Sequence, residues 1–417
     1  MRVVRRESVF QSMSIGISEK ESARPPRLMF VAGEASGDAH ASAVIREILS
    51  QSPSTFVFGL GGHQMRDAGM RLDVDLVSEL RALMGFVRVV FSARAIFRML
   101  DTAEELLRRE RPDALVLVDY PGFNLRLARR AARLGIPVIY YISPQIWGWN
   151  YRRINAIRRD ISLMLVIFPF ERDMYEREHV PVDFVGHPLV DEGTPQPLVG
   201  AERDAMRAEL LSSLPTVKTA QPLLIGLVPG SRRGELERHM PPLLEAARLI
   251  ANRLPQARFV LPRARTITPE YIDHFMAAAR DLPIAVTDLN SRQVYSVLDF
   301  AICKSGTSTL EMALSQTPFI VIYRMSFLNE IIVRILIKIK WVGLPNIIMN
   351  RTVAPELLGI RACTGANIAA AALRILEDPK RLDAARADLR ELTTIMGGSG
   401  AAKRAAMSIL QYVREHH

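Results

Sequence analysis

Leu223-Leu224-Ile225-Gly226-Leu227-Val228-Pro229-Gly230-Ser231-Arg232-Arg233 and Asp299-Phe300-Ala301-Ile302-Cys303-Lys304-Ser305-Gly306-Thr307-Ser308 follow one plan. Each runs from a short apolar strand into small residues, hydroxyls and a cation, and then into a helical stretch. A helix N-terminus presents unpaired N–H groups and partial positive charge, so a junction of this composition suits phosphate. Neither junction has the Gly-x-x-x-x-Gly-Lys-Ser/Thr of a nucleotide-hydrolase P-loop or the Gly-x-Gly-x-x-Gly of a dinucleotide fold. They read as a cradle for a diphosphate that is bound and then released, with Ser231, Arg232, Ser305, Gly306 and Thr307 nearest to it.

Outward from these junctions, short apolar runs alternate with helical stretches from Leu28 onward. Strands are expected at Leu28–Ala32, Phe56–Gly59, Ala114–Val118, Val138–Ile142, Leu163–Ile167 and Asp183–Val185, with helices such as His40–Ser50, Thr102–Glu110 and Leu125–Leu134 between them. The alternation lapses from Gly186 to Pro222, where Pro188, Pro195, Pro197, Pro215 and Pro222 surround one short amphipathic helix. That is a linker composition. A second series follows at Leu223–Val228, Arg258–Leu261, Ile284–Val286, Phe300–Cys303 and Phe319–Ile322, and the stretch from Ala366 to His417 reads as helical around a Gly397-Gly398-Ser399-Gly400 break. The fold class is therefore α/β: two doubly wound, Rossmann-like domains with an interdomain cleft, followed by C-terminal helices. The expected boundaries are 27–190, a linker at 191–222, 223–365, and helices at 366–417. Residues 1–26 read as a disordered extension. Ligands of such folds bind outside the carboxyl ends of the strands.

A chain of 417 residues with a net charge of +10 suits anionic ligands, but no run of five like charges and no basic stretch interleaved with aromatics favours nucleic acid. The two cysteines, Cys303 and Cys363, make no metal or redox pattern. No secretory signal and no run of 18 uncharged apolar residues is present.

Further motifs each carry a plain structural reading beside a chemical one. In Gly33-Glu34-Ala35-Ser36-Gly37-Asp38 the glycines permit a tight turn, and Glu34, Ser36 and Asp38 either project into the cleft or cap a helix. Asp119 ends an apolar strand before Tyr120-Pro121-Gly122. It opens a turn, the reading local sequence favours, or takes a proton from a nucleophilic hydroxyl. Trp147 and Trp149 form an apolar wall or pack in a core. His187, beside Pro188, is an acid–base group or a structural histidine. Glu311 either completes a capping box with Ser308 or accepts from ribose hydroxyls. Asp73-Val74-Asp75 has metal-pair spacing but no sugar-nucleotide loop around it, and no zinc or nucleophile-elbow motif occurs. Two apolar stretches carry cations. Leu83 to Leu100 contains Arg88, Arg94 and Arg98. In Ser326 to Pro345, Glu330, Arg334 and Lys338 would form one polar stripe on a helix. Each stretch is a core helix or an interfacial segment on lipid.

Taken in order, Gly33–Asp38, Gly59-Leu60-Gly61-Gly62, Met84-Gly85-Phe86, Asp119–Asn124, Ser143-Pro144-Gln145-Ile146-Trp147, Phe168-Pro169-Phe170-Glu171, Gly186-His187-Pro188, Pro229–Arg232, Ser305-Gly306-Thr307 with Glu311, and Leu344-Pro345-Asn346 resemble the lipid-A-disaccharide synthases, glycosyltransferases of the two-domain GT-B type. The resemblance runs from about Leu28 to the C-terminal helices. It implies transfer from UDP-2,3-diacylglucosamine to 2,3-diacylglucosamine 1-phosphate, giving a β-1,6-linked disaccharide phosphate and UDP, with inversion and no metal or cofactor. It implies an acceptor-binding first domain and a UDP-sugar-binding second one. Asp119 would be the base, with Glu34 the second choice. Arg232 and the N–H groups of Ser305 to Thr307 would stabilise the departing diphosphate. Glu311 would hold the ribose, and Asn346 would reach the nucleotide. It also implies a peripheral enzyme on anionic lipid at the cytoplasmic face of a bacterial inner membrane, and leaves a homo-oligomer open. Two other readings remain at this stage: another GT-B enzyme on UDP-N-acetylglucosamine, such as a 2-epimerase or a transferase with a soluble acceptor, and a non-catalytic membrane-bound sensor of sugar nucleotides.

Overall fold

A computed structural model describes residues 24–84, 89–191, 198–212, 214, 221–325 and 340–416, with the backbone alone at 81–84 and 89–93. Residues 1–23 of the expected extension, Gly85 to Arg88, and Glu330, Arg334 and Lys338 of the second apolar stretch lie outside the described residues.

Thirteen strands form two all-parallel sheets among the described residues. The first contains β1 (Arg27–Ala32), β2 (Phe56–Gly61), β3 (Arg71–Asp75), β4 (Ala114–Val118), β5 (Val138–Tyr141), β6 (Leu163–Val166) and β7 (Val182–Phe184), in the order 3-2-1-4-5-6-7. The second contains β8 (Leu223–Val228), β9 (Ala257–Pro262), β10 (Ile284–Thr287), β11 (Phe300–Lys304), β12 (Phe319–Tyr323) and β13 (Glu356–Leu358), in the order 10-9-8-11-12-13. The central strands β1, β4, β5, β8 and β11 are almost wholly buried, which is why they read as unbroken apolar runs. Sequence periodicity missed β3 and β13. Both lie at sheet edges: β3 alternates exposed and half-buried residues, and β13 has only three.

In each sheet the winding reverses beside the first strand. β1 pairs with β4 in the register Ala32↔Val118, and β8 pairs with β11 in the register Val228↔Cys303. The helices that follow these neighbouring strands leave on opposite sides, so a crevice opens at their carboxyl ends. Gly33–Glu34 follow β1, Asp119–Tyr120 follow β4, Gly230–Arg232 follow β8, and Ser305–Thr307 follow β11. All four chemistry-bearing loops therefore stand at the two switch points.

The segment expected as a plain linker is docked. Its helix Gly200–Ser212 buries Leu210, and Arg207 donates to Pro222 O, Val297 O and both carboxylate oxygens of Asp299 at 2.7–3.1 Å. Nor do the C-terminal helices share one location. Gly365–Leu376 packs on the helix Arg233–Arg253 of the second domain, whereas Ala401–His416 crosses back to pack on Ala35–Gln51 of the first. Its buried face is Ala401, Ala405, Ala406, Ile409, Leu410 and Val413. The small residues allow close approach, and burying Ile409, Leu410 and Val413 contributes about 1.5–3 kcal/mol each.

Asp191 fixes the start of that returning helix. Its carboxylate accepts from the N–H groups of Gly400, Ala401 and Ala402 at 2.5, 2.9 and 2.8 Å, and Arg404 Nε donates to Val185 O at 2.8 Å. Replacing a side-chain cap by Ala costs about 1–2 kcal/mol. Asp191→Ala should lower unfolding stability by that amount in urea titration; an unchanged midpoint would show that the helix holds its place without this cap.

Candidate active site

The first switch point is built around a backbone irregularity. Asp119 and Tyr120 have φ of +48° and +46°, two consecutive non-glycine residues in the left-handed region. Such residues are uncommon, and each costs about 1–3 kcal/mol unless its surroundings hold it there. Asp119 N–H still donates to Tyr141 O at 3.0 Å, as if continuing the sheet. Its carbonyl turns away and accepts from Asn124 Nδ2 at 2.7 Å and Tyr140 Oη at 2.6 Å. The Tyr120 ring lies across Gly33, where an added Cβ would meet Tyr120 Cδ1 at 2.5 Å, so the loops after β1 and β4 fit only with glycine at that position. Burial is the main cause that raises the Asp119 carboxyl above its ordinary value; the neighbouring charge of Glu34 adds to it, and the Tyr120 N–H acts the other way. Glu34 itself is exposed at the start of the helix Ala35–Gln51 and makes no side-chain cap.

Of the two readings the sequence left for Asp38, projection into the cleft is not the one the structure shows. Asp38 is buried, and its carboxylate accepts from Gly62, Gln64 and Met65 N–H at 2.9, 3.1 and 3.1 Å, which pins the loop after β2. Asp73 and Asp75 are also structural: Asp73 accepts from Gly59 N–H and Arg71, and Asp75 caps Ser78. Among the described residues, no three His, Cys, Asp or Glu side chains converge on a metal-sized site.

A buried polar cluster supports the aromatic wall of the first domain. Trp147 Nε1 donates to Glu171 Oε1 at 3.1 Å, and the Trp147 ring meets Phe170 edge-on at 5.3 Å. Desolvation pushes the Glu171 carboxyl up to about 7, against the Trp147 and Phe168 N–H donors. Trp149 is 55 % exposed beneath the Arg153 guanidinium and belongs to the surface. His187, buried against Phe168, accepts from Leu189 N–H at Nδ1. Burial, then the charges of His40 and Arg292, depress it to about 3. A neutral imidazole is therefore built into the fold, which favours the structural reading of His187. Arg292 belongs to the second domain, so the two domains approach each other here.

At the second switch point Arg232 is the exposed residue preceding the helix Arg233–Arg253. Glu235, one turn in, ties the two phosphate-type loops together. One carboxylate oxygen accepts from Ser231 N–H at 2.9 Å and the other from Lys304 Nζ at 2.9 Å. Burial would raise this carboxyl, but the Lys304 and Ser231 hydrogen bonds and the Arg232 charge bring it below its ordinary value. Gly230, at φ +120°, leaves the space the carboxylate fills: a Cβ there would meet Glu235 Oε2 at 2.3 Å. Gly306 and Thr307 open the helix Thr307–Leu314. Ser305 differs from its expected role, since its N–H donates to Ile322 O and its hydroxyl to Val342 O.

Two further expectations change. Gly306, rather than Ser308, precedes the helix, so no capping box forms, and Glu311 instead pairs with Arg292 Nε at 3.1 Å. Asn346 is fully buried: its amide donates to Ala354 O and Glu356 Oε1 and accepts from Val353 and Ala354 N–H. All four of its hydrogen-bonding positions are used, so it shapes the loop beside Ser305 and has no capacity left for a nucleotide. Sequence reasoning missed Glu235, Arg292, Asn124 and Tyr140. The fourth-residue spacing from Ser231 was the available signal for Glu235, and Asn124 lies inside the Asp119–Asn124 motif; Arg292 and Tyr140 act across elements and left none.

The sequence matches the family model described as lipid-A-disaccharide synthetase over residues 28–411. It is 39% identical to the lipid-A-disaccharide synthase of Trichlorobacter lovleyi over 392 residues, covering 94% of this chain and 99% of that protein. It is 40% identical to the enzyme of that name from Geobacter sulfurreducens over 385 residues, 92% of this chain and 97% of that protein. Among solved structures, the calicheamicin glycosyltransferase superimposes with a TM-score of 0.60 at 15% identity, covering 94% of this chain and 99% of that one. The UDP-N-acetylglucosamine 2-epimerase of Neisseria meningitidis, bound to UDP-GlcNAc, gives 0.57 at 12% identity, covering 92% and 100%. These structural likenesses show the GT-B fold.

For a histidine depressed below its unfolded value of 6.5, the stability present above pH 6.5 is lost as pH falls towards about 3. Between pH 7 and pH 5 His187 should account for about 2 kcal/mol of lost stability. Urea unfolding at both pH values should show a smaller loss in His187→Asn, whose Oδ1 takes the place of Nδ1 as acceptor for Leu189 N–H; equal losses would show that the imidazole is not held neutral.

Proposed function

The chain belongs to the lipid-A-disaccharide synthase family, and from that premise we propose how its two switch points divide the reaction. The acceptor is 2,3-diacylglucosamine 1-phosphate, and its 6-hydroxyl lies against the first domain. Asp119 takes the hydroxyl proton as the new O–C bond forms at the donor's anomeric carbon. The bond from that carbon to the diphosphate breaks with its electron pair going to UDP. Attack from the opposite face inverts the centre and gives the β-1,6 linkage. The observation that carries this reading is the position of Asp119: a half-buried carboxyl of raised proton affinity, after β4 at the reversal of the first sheet. Glu34 is the second candidate. Its charge also favours proton uptake by Asp119.

In the second domain the reading assigns the growing diphosphate charge to Arg232, Lys304 and the N–H groups that open the helix Thr307–Leu314. Arg232 is free at the surface to supply a two-pronged donor. Lys304 is held by Glu235 beside the same loops, and so is already aligned. Charge neutralisation by these groups is the basis for proposing a reaction without a metal. Glu311 would accept from the ribose while keeping Arg292. Asp119→Ala should lower turnover by about a hundredfold or more while UDP affinity holds. Arg232→Ala should weaken UDP binding by about tenfold or more. Incubation with the two diacylated substrates and mass analysis of the lipid product reads the first, and UDP titration the second. Failure of the wild type to join the substrates would end this reading.

Both substrates carry acyl chains, and no described helix is long and apolar enough to cross a membrane. A peripheral position on anionic lipid, at the cytoplasmic face of an inner membrane, fits that chemistry. One surface supports it. Arg126, Arg129, Arg130 and Arg133 share one face of the helix Pro121–Arg133, and with Phe97 and Leu100 they line a cavity of about 240 Å³. Asp101 and Glu104 pair with Arg130, whereas no carboxylate pairs with the other three among the described residues. Phe97 is 53 % exposed beside them. Like charges at this spacing weaken a helix unless an anion joins them. Reversing Arg129 and Arg133 to Glu should weaken binding to phosphatidylglycerol-containing vesicles by about tenfold or more in a flotation assay. Undiminished flotation would remove this face from the membrane contact.

A further inference from the structure

We propose that Asn124 and Tyr140 are positioning residues for proton transfer at Asp119, clamping its carbonyl so that its carboxylate stays turned to the acceptor. The inference rests on the reading of Asp119 as the base. The clamp is made of two donors on one oxygen. Asn124 Nδ2 reaches Asp119 O at 2.7 Å and Val118 O at 3.1 Å, and Tyr140 Oη reaches Asp119 O at 2.6 Å. Both donors come from packed elements, the helix Pro121–Arg133 and β5, and both residues are fully buried. The loop they grip holds φ of +48° and +46° at Asp119 and Tyr120, a geometry that side-chain-bearing residues leave when released. Without the clamp the peptide relaxes towards extended geometry, and the carboxylate swings with it.

Two details favour positioning over filler. Asn124 Oδ1 is buried with no hydrogen-bond partner, an unfavourable state that a purely packing residue such as Leu would avoid. What Asn124 supplies at this site is its Nδ2 donor. The Tyr140 phenol is held well above its ordinary proton affinity, chiefly by burial and then by the Asp119 charge. It stays protonated, and so remains a donor, throughout the range in which a carboxylate base works.

The test uses the full-length protein and Tyr140→Phe, which keeps the ring and removes one donor. We expect kcat to fall by about tenfold, with KM for both substrates and UDP affinity unchanged, and the acid limb of the kcat–pH profile to shift. The same change in an Asp119→Asn background should leave the residual turnover unaltered, because the group it positions is gone. Asn124→Ser, checked for folding by circular dichroism, should reproduce the loss. A Tyr140→Phe enzyme with wild-type kcat, or one that loses the same factor with and without the Asp119 carboxylate, would overturn the positioning role. Wild-type turnover in Asp119→Asn alone would instead overturn the assignment of the base.

Discussion

The constraint on which everything else depends is the reversal of winding in each parallel sheet. When β1 and β4 lie side by side but feed helices that leave on opposite sides, their carboxyl ends stay uncovered, and so do those of β8 and β11. Parallel sheets are closed on both faces by helices, so this opening is where a polar substrate gains access to backbone N–H groups without disrupting a core. The apolar runs that make the central strands buried thereby determine where polar residues can be concentrated. Three of the four loops begin on the residue after the strand, and the fourth, at Gly230, begins two residues after β8.

The two openings have opposite electrostatic character. On the first domain, Asp119 and Glu34 lie close enough to raise proton affinity in a partly dry setting. On the second, Arg232, Lys304 and a helix N-terminus concentrate positive charge, moderated by Glu235. Proton acceptance on one side and anion stabilisation on the other are the two demands of displacing a diphosphate with an alcohol. Glu235 keeps the second side from being simply cationic, because it binds both loops and fixes their spacing.

Much of this was legible in the amino-acid sequence. Ala114–Val118 and Leu223–Val228 were read to the residue because a strand buried on both faces has no reason to alternate. β3 and β13 were not read, because an edge strand needs only partial burial and so carries a weak pattern. At the site, composition located the loops but not the partners within them. Ser305 and Asn346 have the right chemistry to meet a ligand, yet the structure spends their donors on Val342, Ala354 and Glu356. Which hydrogen bonds a polar side chain makes depends on neighbours far along the chain, and local spacing holds no record of them. Asn124 is the converse case: it lies within a motif, but its role is visible only once the Asp119 carbonyl is seen to turn out of the sheet.

The return of the helix Ala401–His416 to the first domain has a consequence for biosynthesis. Domains made early on the ribosome ordinarily complete their cores while the rest of the chain is still emerging. Here the apolar flank of Ala35–Gln51 is covered by the 16-residue helix Ala401–His416, which is translated long after it. The first domain must wait, incompletely sealed, until Ala401–His416 has emerged. A chain cut before Ala401 would therefore show its defect in the first domain, as a greasy flank open to chaperones and proteases.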